Sequence, residues 1–416
     1  MRKGKKSALY DVLPAEDNAT LDLTQSTVVV DGGFLLHRVK WKQSSNISPI
    51  SQQYIAYAQK HYGENCMVVF DGYSHVDSTK RAEQKRRGIS KTSVDINFQE
   101  NTTITVQQEH FLANERNKTR LIHLLSEKMT AAGIETTIAT GDADGTIVRC
   151  GLDKAAVHPT AVIVGEDVDL IVLLIGLAPQ STNIYFMKPG RGNVETKLFS
   201  VRQLQQHPIA KTILLLHSFS GCDTTSAIHG KSKVGIAKLF KENPGLTQDM
   251  STIFKDPSTS PEDIEEAGEK LFLAIYKAPA HQNNLNELRY SAFLKAAMKP
   301  KSDMATLPPT KGASKQHSLR AYLQIQQWLG NPLPPIQWGW VKGKDGILNP
   351  VYTKDPVAPE SILKMIFCRC MTGCGVRCVC RKAGITCSDA CGCLGSCTNG
   401  APVEESIDED LDFDEI

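Results

Sequence analysis

Short apolar runs that end in an acidic residue recur through the first half of the chain. The runs and the acids that follow them are Ser26–Val30 with Asp31, Cys66–Phe70 with Asp71, and Ala161–Val164 with Asp167. Runs this short and this rich in β-branched residues are typical of parallel strands that are buried on both faces. Because the carboxyl ends of parallel strands meet at one edge of a sheet, the pattern predicts an α/β fold with acidic side chains gathered at that edge.

Helical periodicity fills the segments between and after these runs. The predicted helices cover residues 49–61, 114–132, 261–276 and 285–298, and further strands cover residues 133–139 and 184–187. Residues 212–219 form an apolar run that fits either a helix or a strand.

Four more acids accompany the strand ends. Asp142 and Asp144 begin a predicted helix, Asp169 follows Asp167 by two positions, and Asp223 lies in a later glycine-containing turn. We expect Asp167 and Asp169 to lie in extended backbone, so that both carboxylates point the same way and repel each other unless a cation lies between them. Mg²⁺ suits such a site because it prefers oxygen ligands and leaves positions for a substrate phosphate. A solvated turn at the strand end is the alternative, and Asp142 alone fits a helix cap.

Two basic segments are candidates for phosphate contact. Lys80 and Arg87 stand seven residues apart and share one face of a predicted helix, although a charge run of this kind also fits a solvated surface. Gly230, Lys231 and Lys233 form a glycine-containing turn into a helix, where backbone N–H groups can face a phosphate.

Composition describes an ordinary globular chain of 416 residues, with 22% charged and 41% hydrophobic residues. The net charge of +2 hides an acidic segment at residues 404–415, without which the charge balance is clearly basic and suits a polyanion. No apolar run reaches the length of a membrane span, and the basic first residues lead into no apolar signal region, so we expect an intracellular protein without a membrane partner.

Nine of the twelve cysteines lie within thirty residues near the end of the sequence. They are Cys368, Cys370, Cys374, Cys378, Cys380, Cys387, Cys391, Cys393 and Cys397. In an intracellular chain such a cluster indicates metal binding rather than disulfides, and it has too many thiolates for one tetrahedral zinc.

The acids and their local contexts resemble the active site of the flap endonuclease and XPG group of structure-specific nucleases, which have a PIN-like fold. The resemblance covers about residues 26–245, and the matching acids are Asp31, Asp71, Asp142, Asp144, Asp167, Asp169 and Asp223. Two features depart from the family: a leader of 25 residues precedes the first strand, and Ser232 stands where the hairpin element usually has a second glycine.

The nuclease resemblance implies two Mg²⁺ or Mn²⁺ ions. One ion would be bound by Asp31, Asp71 and Asp144. The other would be bound by Asp167, Asp169 and Asp223, with Asp142 acting through water. Lys80 and Arg87 would belong to a basic helix that reaches the scissile phosphate, and the turn at residues 230–233 to an element that grips duplex DNA.

The cysteine segment resembles a CXC domain of the tesmin type, in which nine cysteines share three Zn²⁺ ions. Arg377 stands where two-repeat CXC proteins have a DNA-reading tyrosine. Arg377, Arg381 and Lys382 allow contact with the DNA backbone or a narrow groove, and a structural or protein-docking zinc cluster is the alternative. The whole arrangement looks like that of animal proteins that are often associated with mobile elements.

Five segments are therefore predicted. They are a disordered basic leader at 1–25, a PIN-like nuclease domain at 26–245, a helical extension with a Trp- and Pro-rich segment at 246–360, a zinc segment at 366–399 and an acidic disordered tail at 400–416.

The resemblances imply a nuclear, metal-dependent, structure-specific DNA nuclease of the flap or 5′-nuclease type, with the zinc segment as a tether to DNA or chromatin. Flap, nicked or branched DNA is the expected partner and RNA the second choice, and no sliding-clamp motif is found. The alternatives are a non-catalytic nucleic-acid-binding or chromatin adaptor and a mobile-element accessory protein. Seven retained acids argue against a dead site, because without metal they repel one another.

Overall fold

Two compact units make up the protein. A computed structural model describes residues 1–16, 21, 23–42, 44–72, 79–80, 94–297, 304–344, 346–353, 355, 368–371, 373–382, 386–387 and 391–400. The first unit contains Met1–Ile264 and His317–Val351, and the second contains Glu265–Gln316 and Tyr352–Ile416. Arg87 and the acidic tail from residue 401 onward lie outside the described residues.

A six-stranded sheet forms the centre of the first unit, in the order β5-β3-β1-β6-β7-β8. Its strands are β1 (Thr27–Asp31), β3 (Met67–Phe70), β5 (Glu135–Ile138), β6 (Ala161–Val164), β7 (Ile184–Lys188) and β8 (Lys197–Ser200). All neighbours pair in parallel except β8, which runs antiparallel to β7 at one edge. The short strands β2 (Ser45–Asn46) and β4 (Thr103–Ile104) pair with each other, as do β9 (Trp340–Lys342) and β10 (Leu348–Pro350). The predicted α/β class with a parallel sheet is confirmed.

Helices lie between the strands in the sequence and pack against the sheet, and further helices follow the last strand of the sheet in the sequence. They are α1 (Gly32–Arg38), α2 (Ile47–Tyr62), α3 (Gln108–Ala113), α4 (Glu115–Ala131), α5 (Ala143–Val157), α6 (Val168–Leu177), α7 (Val201–Leu204), α8 (Ile213–Phe219), α9 (Lys233–Glu242), α10 (Pro244–Lys255), α11 (Pro261–Ile275), α12 (Leu285–Ala297), α13 (Lys311–Trp328) and α14 (Val379–Lys382). Four of these confirm the predicted helices to within two residues at each end, and residues 213–219 are helical. No helix in the described ranges is long and apolar enough to cross a membrane.

Helix α4 illustrates how local sequence sets an element. Asn114 caps it by accepting hydrogen bonds from the backbone N–H groups of Arg116 and Asn117, as asparagine commonly does at this position. Leu121, Leu125 and Met129 then recur on one face and are fully buried. The cap and the apolar stripe are both visible in the sequence, so the helix was predictable.

The predicted disordered leader is wrong for residues 1–16. A 3-10 helix, Lys6–Asp11, buries Leu9 and Tyr10. The Tyr10 ring packs against Phe186 and Phe199, with ring centroids 6.3 and 5.8 Å apart. Residues 1–16 are ordered because Leu9 and Tyr10 are buried and the Tyr10 ring packs against the sheet, which the lysine-rich local sequence gives no reason to expect.

The predicted boundaries at residues 245 and 360 also differ from the structure. Phe254 is fully buried in the first unit and packs edge-on against Phe219, with ring centroids 6.2 Å apart. Tyr322 of α13 donates a hydrogen bond to the carbonyl oxygen of Asp256 at 2.9 Å. These long-range contacts assign the start and end of the predicted extension to the first unit.

Gly72 lies two residues after strand β3 and directly after Asp71. The structure has no room for a side chain at this position. A Cβ there would lie 1.6 Å from the carbonyl oxygen of Ala139. We expect Gly72→Ala to destabilise the first unit by at least about 2 kcal/mol, because the backbone of a neighbouring strand must move. Gly141→Ala is the matched control, because nothing lies within 4 Å of its Cβ position.

Urea unfolding followed by tryptophan fluorescence measures this effect in the first unit alone, because all four tryptophans belong to it: Trp41, Trp328, Trp338 and Trp340. Equal midpoints for Gly72→Ala and Gly141→Ala would contradict the close approach of the two strands.

Candidate functional site

The strand-end acids lie at the carboxyl edge of the sheet. Asp31 ends β1 and caps α1, accepting a hydrogen bond from the backbone N–H of Gly33 at 2.8 Å. Asp71 directly follows β3, and a Cβ at Gly33 would lie 3.1 Å from Asp31 Oδ1 and 3.7 Å from Asp71 Oδ2. The two carboxylates therefore flank the same glycine.

The other acids reach this edge from helix starts. The predicted extended backbone at residues 167–169 is wrong, because α6 begins at Val168. Asp167 caps this helix, accepting from the backbone N–H of Asp169 at 3.0 Å. Asp144 lies in the first turn of α5, as Asp169 does in that of α6. Carboxylate oxygens of Asp144, Asp167 and Asp169 all lie within 4.8 Å of one another.

Lysine side chains connect the remaining acids to this group. Lys80 donates to Asp142 Oδ1 at 2.6 Å and also contacts Asp144. Lys118 lies 3.6 Å from Asp71 Oδ2. The structure thus brings Lys80 to the acids, and its contact with a scissile phosphate stays a prediction.

Lys6 was not among the predicted site residues. Its ammonium nitrogen lies 2.8 Å from Asp167 Oδ2, 3.4 Å from Asp169 Oδ1 and 3.3 Å from Asp223 Oδ2. The sequence contains one indication of this contact: Leu9 and Tyr10 follow Lys6 within four positions, and their burial could anchor the segment that contains Lys6.

Burial dominates the electrostatics of two carboxyls. It raises the pKa of Asp31 to about 7, helped by repulsion from Asp71 and opposed by two backbone N–H groups. Burial also raises the pKa of Asp144 well above its usual range; the Lys80 ammonium opposes this shift, and the Asp142 carboxylate adds to it. A buried site that disfavours carboxylate charge in this way gains from added positive charge.

Asp167 and Asp169 respond differently to the same surroundings. Burial and the neighbouring Asp169 raise the pKa of Asp167. Burial also disfavours charge on Asp169, but the Lys6 ammonium and the His217 ring together hold its pKa below the usual range. Asp169 therefore holds its negative charge more readily than Asp167 does.

A buried histidine, His217, orients Asp169. Lys233 Nζ donates to His217 Nδ1 at 3.1 Å and to Ser220 Oγ at 2.7 Å. Because an ammonium can only donate, Nδ1 accepts and the ring proton lies on Nε2, which donates to Asp169 Oδ1 at 2.8 Å. Burial lowers the pKa of Lys233 to about 8.

The same contacts correct the predicted role of Lys233. Its side chain is buried, and its ammonium faces His217 rather than solvent, so it does not present a cation to DNA. Gly230 is exposed with φ +65°, and Ser232 caps α9 by accepting from the backbone N–H of Gly235 at 3.0 Å. Gly230 and Lys231 stay proposed phosphate contacts.

His217 should make the first unit sensitive to acid. Burial and the nearby Lys233 ammonium lower its pKa from 6.5 to about 4, so its contribution to stability is present above pH 6.5 and is lost as the pH falls toward 4. At pH 5 the loss is about 2 kcal/mol. We expect His217→Gln, which can keep both hydrogen bonds, to lose about that much less between pH 7.5 and pH 5.

Tryptophan-detected urea unfolding at the two pH values measures this difference. His123→Gln is the control, because His123 is exposed on α4. Identical pH dependence in His217→Gln and the wild type would contradict a histidine held neutral at this position.

The cysteine segment forms a compact core in the second unit. Seven of its nine cysteines are buried, and they pack against Phe293 and Leu307. Sulfur atoms lie within 4.8 Å of one another in four groups: Cys368/Cys378/Cys380/Cys387, Cys368/Cys387/Cys391/Cys393, Cys368/Cys370/Cys374/Cys378 and Cys374/Cys387/Cys393/Cys397. Because the groups share members, the arrangement fits several metal ions with bridging thiolates.

Basic side chains lie on the surface of this cysteine core. Arg377, Arg381 and Lys382 are exposed, and Arg381 also donates to the carbonyl oxygen of Cys374 at 3.1 Å. They stay proposed DNA contacts.

Comparisons with known proteins give structural neighbours only. No family model and no curated protein matches the chain. Among solved structures, the bacteriophage T5 D15 flap endonuclease in a complex with DNA and metal ions is similar at 12% identity, with 73% of this chain and 99% of that chain covered and a TM-score of 0.35. The catalytic core of Rad2 in complex with DNA substrate is similar at 14% identity, with 77% and 97% covered and a TM-score of 0.38. Likeness at this level transfers no activity, so the function has to come from the side chains.

Proposed function

We propose that the protein is a divalent-metal-dependent nuclease that hydrolyses phosphodiester bonds of DNA, acting on flap, nicked or branched structures in the nucleus. The observation that carries this proposal is the convergence of strand-end and helix-start acids, with oxygens of Asp144, Asp167 and Asp169 within 4.8 Å of one another. Folding forces these carboxylates together at a free-energy cost that a bound cation offsets.

The donor set fits two Mg²⁺ or Mn²⁺ ions, since it consists of carboxylate oxygens. Asp31, Asp71 and Asp144 would bind one ion, and Asp167, Asp169 and Asp223 the other, with Asp142 acting through water. Bound divalent ions lower the pKa of water and neutralise charge on a phosphodiester.

The chain's own residues supply orientation and positive charge. His217 and the backbone N–H groups at the starts of α1 and α6 donate hydrogen bonds that fix the carboxylates, as groups around metal ligands commonly do. Lys80, at 2.6 Å from Asp142, is close enough to the acids to turn toward a phosphate bound over them. The turn at Gly230 and the half-buried Lys231 would hold the duplex backbone, and this binding should weaken with salt.

The cysteine core would bind Zn²⁺, three ions if it follows the CXC pattern, and tether the enzyme to DNA or chromatin through Arg377, Arg381 and Lys382. The thiolate groups within 4.8 Å of one another support this part of the proposal.

A non-catalytic nucleic-acid-binding protein is the second candidate. The contacts that favour it are those of Lys6 and Lys80, which neutralise carboxylates without any metal. The two candidates differ in whether DNA is cut.

The deciding experiment incubates the purified protein with labelled 5′-flap, nicked, branched and single-stranded DNA and with RNA, in Mg²⁺, Mn²⁺ or excess chelator. Cleavage that needs the metal and favours one DNA structure supports the proposal. Binding without cleavage of any substrate would leave the non-catalytic candidate, and cleavage that survives chelation would contradict the metal site.

A further inference from the structure

Lys6 contacts all three carboxylates of one proposed metal ion. Its ammonium lies 2.8, 3.4 and 3.3 Å from oxygens of Asp167, Asp169 and Asp223. Lys80, by contrast, contacts Asp144 among the proposed direct ligands. The position of Lys6 therefore overlaps a complete ligand set.

The backbone on both sides of Lys6 is fixed. Before it, the backbone N–H of Arg2 donates to Ser226 Oγ at 3.0 Å, and the Arg2 carbonyl accepts from the N–H of Ala227 at 2.9 Å. After it, the Tyr10 hydroxyl donates to the carbonyl oxygen of Glu166 at 3.2 Å, next to Asp167. Lys6 is thus presented by a docked segment rather than by a loose leader.

An ammonium at this point and a second divalent ion exclude each other. Mg²⁺ binds carboxylate oxygen at about 2.1 Å, and it would have to lie between the same oxygens that Lys6 Nζ contacts. Two cations so close repel strongly, because the site is largely shielded from water. One of the two must leave or stay out.

We propose that Lys6 serves as a built-in cation in place of one metal ion, so that the native site takes a single tightly bound divalent ion at Asp31, Asp71 and Asp144. This inference rests on the proposed function, since it concerns the same acidic site. With Lys6 seated, its ammonium offsets part of the negative charge of Asp167, Asp169 and Asp223, and metal dependence reduces to one ion.

A titration of Mn²⁺ followed by electron paramagnetic resonance tests this without any activity measurement. The wild type should bind one Mn²⁺ tightly and a second at least about tenfold more weakly. Lys6→Met, which keeps the length of the side chain and removes its charge, should bind two ions with affinities within about tenfold of each other. Lys5→Met is the matched control, because Lys5 is exposed, and it should behave as the wild type does.

Two tight ions in the wild type would overturn the role of Lys6 and leave the proposed nuclease intact, and that result stands even if Lys6→Met does not fold. A single tight ion in both the wild type and a folded Lys6→Met would also overturn it. Absence of Mn²⁺ binding in the wild type would remove the metal site, and the inference with it.

Discussion

Replacing Asp167 and Asp169 together by asparagine should lower metal-dependent cleavage by at least about 10³-fold, or ~4 kcal/mol in activation free energy. Asparagine has nearly the same volume, and it caps helices as well as aspartate does, so α6 should still begin at Val168. Only the negative charge is lost, so these two positions can no longer bind a cation, whether that cation is a divalent ion or the Lys6 ammonium.

The rate on the best substrate from the cleavage screen, measured with enzyme in excess, gives this effect. Asp153→Asn is the control, because Asp153 is an exposed carboxylate on α5, outside the acidic group. The double variant should keep the tryptophan-detected unfolding midpoint of a folded first unit. Cleavage within tenfold of the wild type in a folded double variant would locate the chemistry elsewhere.

Removing zinc from the cysteine core should have the second large effect. Structural zinc contributes about 10–16 kcal/mol to folding in small domains, far more than the few apolar contacts around this core can replace. We expect a strong chelator to release the bound zinc and to open residues 368–400 to protease. A colorimetric zinc assay and limited proteolysis of the full chain measure the two events.

Cys387 is an informative single position in this core, because its sulfur, like that of Cys368, belongs to three of the four thiolate groups. Cys387→Ser should lower the zinc content by at least one ion per chain and increase cleavage within the segment. Cys150→Ser, in a half-buried cysteine of α5 in the first unit, should change neither. A full zinc content in Cys387→Ser, or none in the wild type, would contradict the proposed cluster.

The parallel sheet and the acids at one of its edges could be predicted from local sequence patterns. A run such as Met67–Phe70 followed by Asp71 predicts a buried strand, because a short continuous series of apolar residues is a local pattern that the sequence shows directly. The rule that parallel strands end at one edge then predicts that Asp31, Asp71 and Asp167 meet, without any knowledge of distances. The cysteine spacing likewise indicates a metal cluster, because the ligands are close in sequence.

The residues that contact and orient the acids, Lys6 and His217, were identified from the folded structure. Lys6 lies 163 positions before its partner Asp169 in the sequence, and His217 lies 48 positions after the same aspartate. Nothing in the local pattern around Lys6 or His217 indicates such a distant partner. The direction of Lys233 was decided in the same way, since a lysine at a helix start faces solvent unless buried acceptors compete for it. Local periodicity predicts which face of a helix or strand is buried. The residues that this face contacts depend on how distant segments of the chain pack together in the tertiary structure.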